Sequence, residues 1–192
     1  MKFDEKKDEA LIERFASSEV IYDGVILHVH KDMVTLPNGK KTVRELIRHV
    51  GAVCVVPLTD KGEVICVRQF RYATGQVLLE IPAGKLDRPD EDRVQAALRE
   101  LGEETGARCD KLTDLGSFYP TPAYSDELIS MYLAEGLSFG ECDPDDDEFL
   151  DVVKIPLGEL FDMVMAGEVP DVKTQAAVLR VYAMKQKEGG VC

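Results

Sequence analysis

The chain has 192 residues, 45% of them apolar, enough for one sizeable domain with a buried core. Its 36 acidic against 23 basic residues leave a formal charge of −13, which argues against a surface built for nucleic acid or an anionic membrane. No apolar run reaches the ~18–20 residues of a transmembrane helix, and the charged start "MKFDEKKDEA" is no secretory signal.

Five scattered cysteines, never spaced as CxxC, point to reduced thiols in a cytoplasm. Residues 1–15 form a charged lead-in with helical character. Short strands are predicted over 19–49: "VIYDGVILHVH" alternates around a glycine turn, and "MVTLPNGKKTVRELI" carries Asn38-Gly39, a strong hairpin signal. The two apolar runs of "GAVCVVPLTDKGEVICVRQFRY", joined by Asp60-Lys61-Gly62, read as a central hairpin. "VLLEIPAG" is a further buried strand that runs into a glycine loop. Residues 87–92, with Pro89, lead into a helix that extends to about Gly106.

Beyond that helix, "KLTDLGSFYPTPAYSDELISMYLAEGL" reads as strand, loop, strand. "ECDPDDDEF" is an acidic loop and "LDVVKIPL" a strand, and two helical patterns close the chain, "LGELFDMVMAG" and "VKTQAAVLRVYAMKQK". Antiparallel strands mixed with helices, without internal repeat or long linker, give an α+β class or an α/β/α sandwich.

The stretch "RELGEETG" poses a physical problem. Glu100, Glu103 and Glu104 stand three and four residues apart on a helix, where like charges destabilise by roughly 0.2–0.5 kcal/mol per pair. A stop at Gly106 adds the negative end of the helix dipole. Solvent, basic side chains or a bound cation must offset this. Val94, Leu98 and Leu101, with Ala97 at the edge, form the expected packing stripe. The glutamates centre well over about 90° from its middle, with small Ala96 among them leaving space above the carboxylates. Clustered hard oxygens suit Mg²⁺ or Mn²⁺, which take carboxylates together with substrate phosphates. A solvated acidic face is the competing reading of a bare ExxEE.

The wider segment "GKLDRPDEDRVQAALRELGEETGA" resembles the Nudix box. That pattern runs glycine, five residues, glutamate, seven residues, Arg-Glu, an apolar residue, any residue, Glu-Glu, any residue, glycine and an apolar residue. Gly84, Glu91, Arg99, Glu100, Leu101, Glu103, Glu104, Gly106 and Ala107 fill its places. Six residues rather than five separate Gly84 from Glu91. Either the loop carries an insertion at 88–90 or Asp90 takes the acidic role; the intact seven-residue step from Glu91 to Arg99 favours the insertion.

The resemblance implies a Nudix α/β/α sandwich with a small N-terminal antiparallel β-subdomain. Glu100, Glu103 and Glu104 would hold divalent cations, Mg²⁺ or Mn²⁺, and the backbone carbonyl of Ala83 would add a ligand. Arg99 would orient the carboxylates, so that Arg99 and Glu103 count among the catalytic residues.

Pro122, sixteen residues after Gly106, and "VRQFRYATGQVLLEIPAGKLD" are similar to the ADP-ribose pyrophosphatase branch of the family. In that branch Arg71 would contact a phosphate, for which a guanidinium offers paired donors, and Glu80 would help hold substrate near the metals. By the same resemblance residues 1–49 are a dimer-forming β-subdomain and 50–192 the hydrolase domain, and Arg44 and Glu45 would reach the partner's substrate. In the acidic loop Glu148 is the candidate general base or additional metal ligand, with Asp146 and Asp147 as alternatives. Phe118, Tyr119 and Tyr124 flank Pro122 and either line a base pocket or pack the loop. His28, His30 and His49 read as strand or surface histidines.

The implied activity is Mg²⁺-dependent hydrolysis of the diphosphate of ADP-ribose to AMP and ribose 5-phosphate by a cytoplasmic homodimer. Another nucleotide sugar such as a GDP-sugar, or an oxidised nucleotide, is the second reading. A non-catalytic ADP-ribose sensor would have lost box carboxylates, and all of them are present.

Overall fold

The computed structural model of the chain describes residues 5–140 and 149–189. The acidic-loop candidates Asp146, Asp147 and Glu148 lie outside the described residues. Two compact units are present. The first takes the described residues up to His49 together with Thr121–Glu127; the second takes Val50–Pro120 and the described residues from Leu128 onward.

The first unit opens on a one-turn helix α1 (Glu5–Asp8) and a 3-10 turn (Glu9–Leu11). Three antiparallel strands follow in the order β1 (Arg14–Asp23), β2 (His28–Thr35), β3 (Lys41–Arg48). β1 begins at Arg14, earlier than its apolar alternation indicates, because irregularities at Phe15/Ser17 and Val20/Tyr22 break the two-residue period. Gly39 adopts φ +81° and donates its N–H to the Leu36 carbonyl at 2.9 Å, closing β2 onto β3 at the Asn38-Gly39 turn. Asp126 clips Thr121–Glu127 to β3, accepting from the His49 N–H at 2.7 Å and from Arg48 Nη1 at 3.1 Å. The histidines find local partners: His28 with Asp23 at 2.5 Å, His30 with Ser18 at 3.2 Å, and His49 facing Glu127 at 4.0 Å.

The second unit is layered α/β/α. Its centre is a mixed sheet in the order β7 (Ala83–Lys85), β4 (Ala52–Pro57), β9 (Ile129–Phe139), β8 (Ala107–Phe118), with β4 and β9 parallel. A second, antiparallel sheet has the order β10 (Leu150–Pro156), β5 (Glu63–Arg71), β6 (Gln76–Glu80). Every residue of β4 is buried because both its faces are covered. Cys54 and Val56 share one core with Leu160 of α3 (Leu157–Ala166) and Val178 of α4 (Val172–Glu188). Val53 and Val55 share the opposite core with Ala97 and Leu101 of α2 (Arg93–Thr105). Each such buried Val or Leu contributes ~1.5–3 kcal/mol, which ties α2 firmly to the sheet. Among the described residues no helix is long and apolar enough to cross a membrane.

The central hairpin expected at Asp60-Lys61-Gly62 is corrected to a turn between sheets. The chain does reverse there, with Gly62 at φ +75° and its N–H on the Thr59 carbonyl at 2.9 Å. Beyond a single bridge, Leu58 to Val64, β4 and β5 part into different sheets. Pro57 has no N–H with which to extend a ladder between them.

Helix α2 starts and stops where its residues dictate. The Asp92 carboxylate accepts from the N–H groups of Val94 at 2.9 Å and Gln95 at 3.0 Å, and Gly106 at φ +65° ends the helix. Asp92→Ala is expected to cost ~1 kcal/mol, a fall of about 2–4 °C in Tm for a chain of this length. Thermal melting measures this, and an unchanged Tm would show the cap to be dispensable.

The packing face of α2 only partly coincides with its apolar stripe, of which Leu101 and Ala97 are buried. Val94 is 41% exposed and Leu98 only half-buried, whereas Ala96, Ala97, Glu100, Leu101, Glu104 and Thr105 are buried. At 100° per residue these six fill one arc with Glu104 near its middle. Ala96 therefore packs into the core beside Leu86 and Leu101 and opens no space above the carboxylates. The reason is tertiary: β7 and its glycine cover this side of the helix, and small residues and carboxylates fit against them.

Candidate active site

Residues 80–84, Glu-Ile-Pro-Ala-Gly, cross from β6 in one sheet to β7 in the other. Successive residues are held by different partners. Ile81 N–H donates to Thr174 Oγ1 at 2.9 Å, Val55 N–H donates to the Pro82 carbonyl at 2.9 Å, and Ala83 N–H donates to Glu104 Oε2 at 3.3 Å. Proline is tolerated at 82 because its ring nitrogen is asked for no hydrogen bond at the crossing. Gly84 lies so close to Glu100 that a Cβ there would overlap the carboxylate. Its φ is not in the left-handed region, so space alone demands glycine.

Arg99 supplies a positive charge to the ExxEE cluster. Its Nη1 bridges Glu100 Oε1 at 2.8 Å and Glu103 Oε2 at 2.9 Å. Its Nε faces Glu91 at 3.5 Å and Asp87 at 3.7 Å, and Nη2 reaches the Lys85 carbonyl at 3.4 Å. Burial opposes the charged guanidinium, but Glu100, Glu103 and Asp87 outweigh it and hold its pKa above the ordinary arginine value.

Glu91, not Asp90, faces Arg99. Glu91 Oε2 also accepts the Asp87 N–H at 2.7 Å, whereas Asp90 is exposed and pairs with Arg88 at 3.2 Å. The residue in excess of the box pattern is absorbed in the exposed 88–90 turn, where the Glu91 N–H returns to the Arg88 carbonyl at 3.1 Å.

On the other flank of the crossing, buried Glu80 accepts Arg71 Nε at 2.8 Å and Nη2 at 2.7 Å. Lys173 Nζ meets Oε2, the Glu80 oxygen that accepts Arg71 Nη2, and lies 3.0 Å from Asp171. Burial pushes the Glu80 carboxyl up, but the Arg71 hydrogen bonds and the Lys173 charge outweigh it and hold it below the ordinary glutamate value. Stability from this lowered pKa is present above the unfolded value and is lost as pH falls through the folded one, so the network loosens only in acid. The Arg71 edge expected to face a phosphate is engaged by Glu80, which leaves Nη1 and the outer side of Nη2 for a ligand. In the sequence Lys173 and Asp171 look like an ordinary helix start; only the fold carries Lys173 across 93 positions to Glu80.

Other predicted site residues lie in the first unit. Arg44 and Glu45 are on β3, where Arg44 donates Nε and Nη2 to Glu13 at 2.9 and 2.5 Å. Pro122 and Tyr124 are exposed within Thr121–Glu127. Of the neighbouring aromatics in the second unit, Phe118 packs against the core and Tyr119 is exposed.

Among the described residues no group of three or more His, Cys, Asp or Glu side chains is arranged to hold a metal ion. The donor chemistry nonetheless fits a hard divalent cation. Glu100, Glu103 and Glu104 offer carboxylate oxygens beside a strand whose glycine lets a carboxylate lie against the backbone.

The NUDIX domain profile matches residues 48–176. The chain is 41% identical over 172 residues to the ADP-ribose pyrophosphatase of Bacillus subtilis (strain 168), covering 88% of this chain and 92% of that protein. It is 39% identical over 168 residues to the methanol dehydrogenase activator of Bacillus methanolicus, covering 86% and 90%. The crystal structure of an ADP compounds hydrolase superposes with a TM-score of 0.82 at 25% identity, covering 94% of this chain and 97% of that one. With Gly84 on β7, the box carboxylates Glu100, Glu103 and Glu104 on α2 and the profile spanning most of its length, the chain belongs to the Nudix family.

Proposed function

We propose that the protein hydrolyses ADP-ribose, cleaving its diphosphate to AMP and ribose 5-phosphate. The observation that carries this reading is the 80–84 crossing, which sets the Arg71–Glu80 pair on one flank and the carboxylates of Glu100 and Glu104 on the other. The 41% identity to an ADP-ribose pyrophosphatase supports the choice of substrate. Glu100, Glu103, Glu104 and the Ala83 carbonyl would hold Mg²⁺ or Mn²⁺, which when bound neutralises diphosphate charge and lowers the pKa of an attacking water.

The chain's own residues do the rest. Arg99 keeps Glu100 and Glu103 in one orientation. Arg71, already oriented by Glu80, presents its outer donors to a phosphate oxygen. Glu148, with Asp146 and Asp147 as alternatives, is the proposed general base, and Arg44, Glu45 and Pro122 are proposed substrate contacts.

A panel of nucleotide sugars and nucleoside triphosphates with Mg²⁺ tests the substrate. ADP-ribose should show the highest kcat/KM. Arg71→Lys should lower it, since losing a charge-assisted hydrogen bond is worth ~1.5–3 kcal/mol, about one to two decades. A panel won by a GDP-sugar, with Arg71→Lys neutral, would reject ADP-ribose and leave a pyrophosphatase for another nucleotide sugar.

The protein is further proposed to act in the cytoplasm as a homodimer formed through residues 1–49. β1 is exposed along its whole length, with Phe15, Val20, Ile21 and Tyr22 among its side chains, and three strands alone bury little core. Size measurement in solution should give twice the chain mass of 21.3 kDa. Deletion of residues 1–49 should give insoluble or inactive protein; a stable, active truncated monomer would contradict the dimer.

A further inference from the structure

We infer that Lys173, in the first turn of α4, is a positioning residue that fixes Glu80 and, through it, the guanidinium of Arg71. The inference rests on the proposed reading of Arg71 as a phosphate contact. The Glu80 side chain is only 2% exposed, and its two oxygens are divided between two cations. Oε1 takes Arg71 Nε, while Oε2 takes both Arg71 Nη2 and Lys173 Nζ.

Lys173 is itself held in place. Its side chain is 12% exposed and lies 3.0 Å from Asp171 Oδ1. Asp171 Oδ2 accepts the Thr174 N–H at 3.0 Å and the Thr174 hydroxyl at 2.5 Å, and Thr174 Oγ1 in turn accepts the Ile81 N–H at 2.9 Å. The circuit returns to the residue next to Glu80. The N-terminus of α4 thus grips the end of β6 at two adjacent points, one side chain and one backbone group.

Charge accounts for the consequence. As the N-cap of α4, Asp171 is stabilised by backbone N–H and by the positive end of the helix dipole. That leaves the Lys173 charge to neutralise Glu80. Arg71, 41% exposed at its side chain, then keeps its own positive charge available to a phosphate. Without Lys173, Arg71 becomes the sole counter-ion of a buried carboxylate and is drawn inward.

A double-mutant cycle tests this on ADP-ribose with Mg²⁺, using Lys173→Met, Arg71→Ala and the double variant, each with its Tm recorded. Lys173→Met should raise KM about tenfold, the equivalent of one decade of affinity, with kcat little changed. In the Arg71→Ala background the same substitution should leave KM nearly unchanged, because the group it positions is gone. Asp171→Asn, which keeps an N-cap, should raise KM in the same direction and serves if Lys173→Met does not fold. Lys173→Arg should restore KM towards wild type. Equal KM effects with and without Arg71, or an unchanged KM in folded variants, would overturn the positioning role. If another nucleotide sugar wins the panel, the cycle is run with that substrate, so a wrong substrate and a wrong role for Lys173 give different results.

Discussion

Glu104→Gln is expected to abolish nearly all turnover while leaving the fold intact. Glu104 is 4% exposed, near the middle of the buried arc of α2, and its Oε2 accepts the Ala83 N–H. A glutamine has the same shape and keeps an amide oxygen for that N–H, so packing and the hydrogen bond survive. What disappears is the negative charge, on which binding of a hard cation depends. A loss of about three decades in kcat corresponds to ~4 kcal/mol of barrier. The fold should survive, because a neutral amide is easier to bury than a carboxylate. The reason is not the one suggested by the apolar stripe, which would put Glu104 on an exposed face. Near-wild-type kcat at saturating Mg²⁺ would rule out a metal-ligand role.

Gly84→Ala should cost about two decades in kcat/KM, or ~2.7 kcal/mol. The added methyl would occupy the position of the Glu100 carboxylate. The strand cannot easily withdraw, because Gly84 is in register with Val53 in the β4–β7 ladder. Glu100 must therefore swing away, taking with it the Arg99 Nη1 contact at 2.8 Å. A displacement of this size at a reacting centre is enough for a loss of that order. Melting should show a folded protein, and adding Glu100→Asp, with its shorter side chain, should recover part of the activity. Full activity of Gly84→Ala would mean that Glu100 need not lie against β7.

Much of this architecture is readable in the chain, for identifiable reasons. Asp92 and Gly106 bound α2 through local chemistry, an N-cap carboxylate and a left-handed glycine, and neighbours in sequence suffice to recognise both. Asn38-Gly39 is local in the same sense. The box residues are legible because their spacing is a linear pattern. The packing face of α2 is not, since it depends on what covers the helix: β7 approaches from the side of Glu100 and Glu104, and Val94 is left to solvent. β4 and β5 look like a hairpin because a tight turn joins them, and nothing local records that their partners lie in different sheets. Lys173 is hidden for the same reason, its partner Glu80 being on a distant strand. Tertiary contact decides what local pattern cannot.

Phosphorus NMR of a single reaction reads out divalent-cation-dependent cleavage of the ADP-ribose diphosphate. ADP-ribose incubated with the protein and Mg²⁺ should lose its diphosphate resonances and gain two phosphomonoester resonances, those of AMP and ribose 5-phosphate. A chelator should stop the conversion. Diphosphate resonances that persist in the presence of Mg²⁺ would mean that the protein does not cleave ADP-ribose, and resonances that vanish equally fast with chelator would mean that cleavage needs no divalent cation.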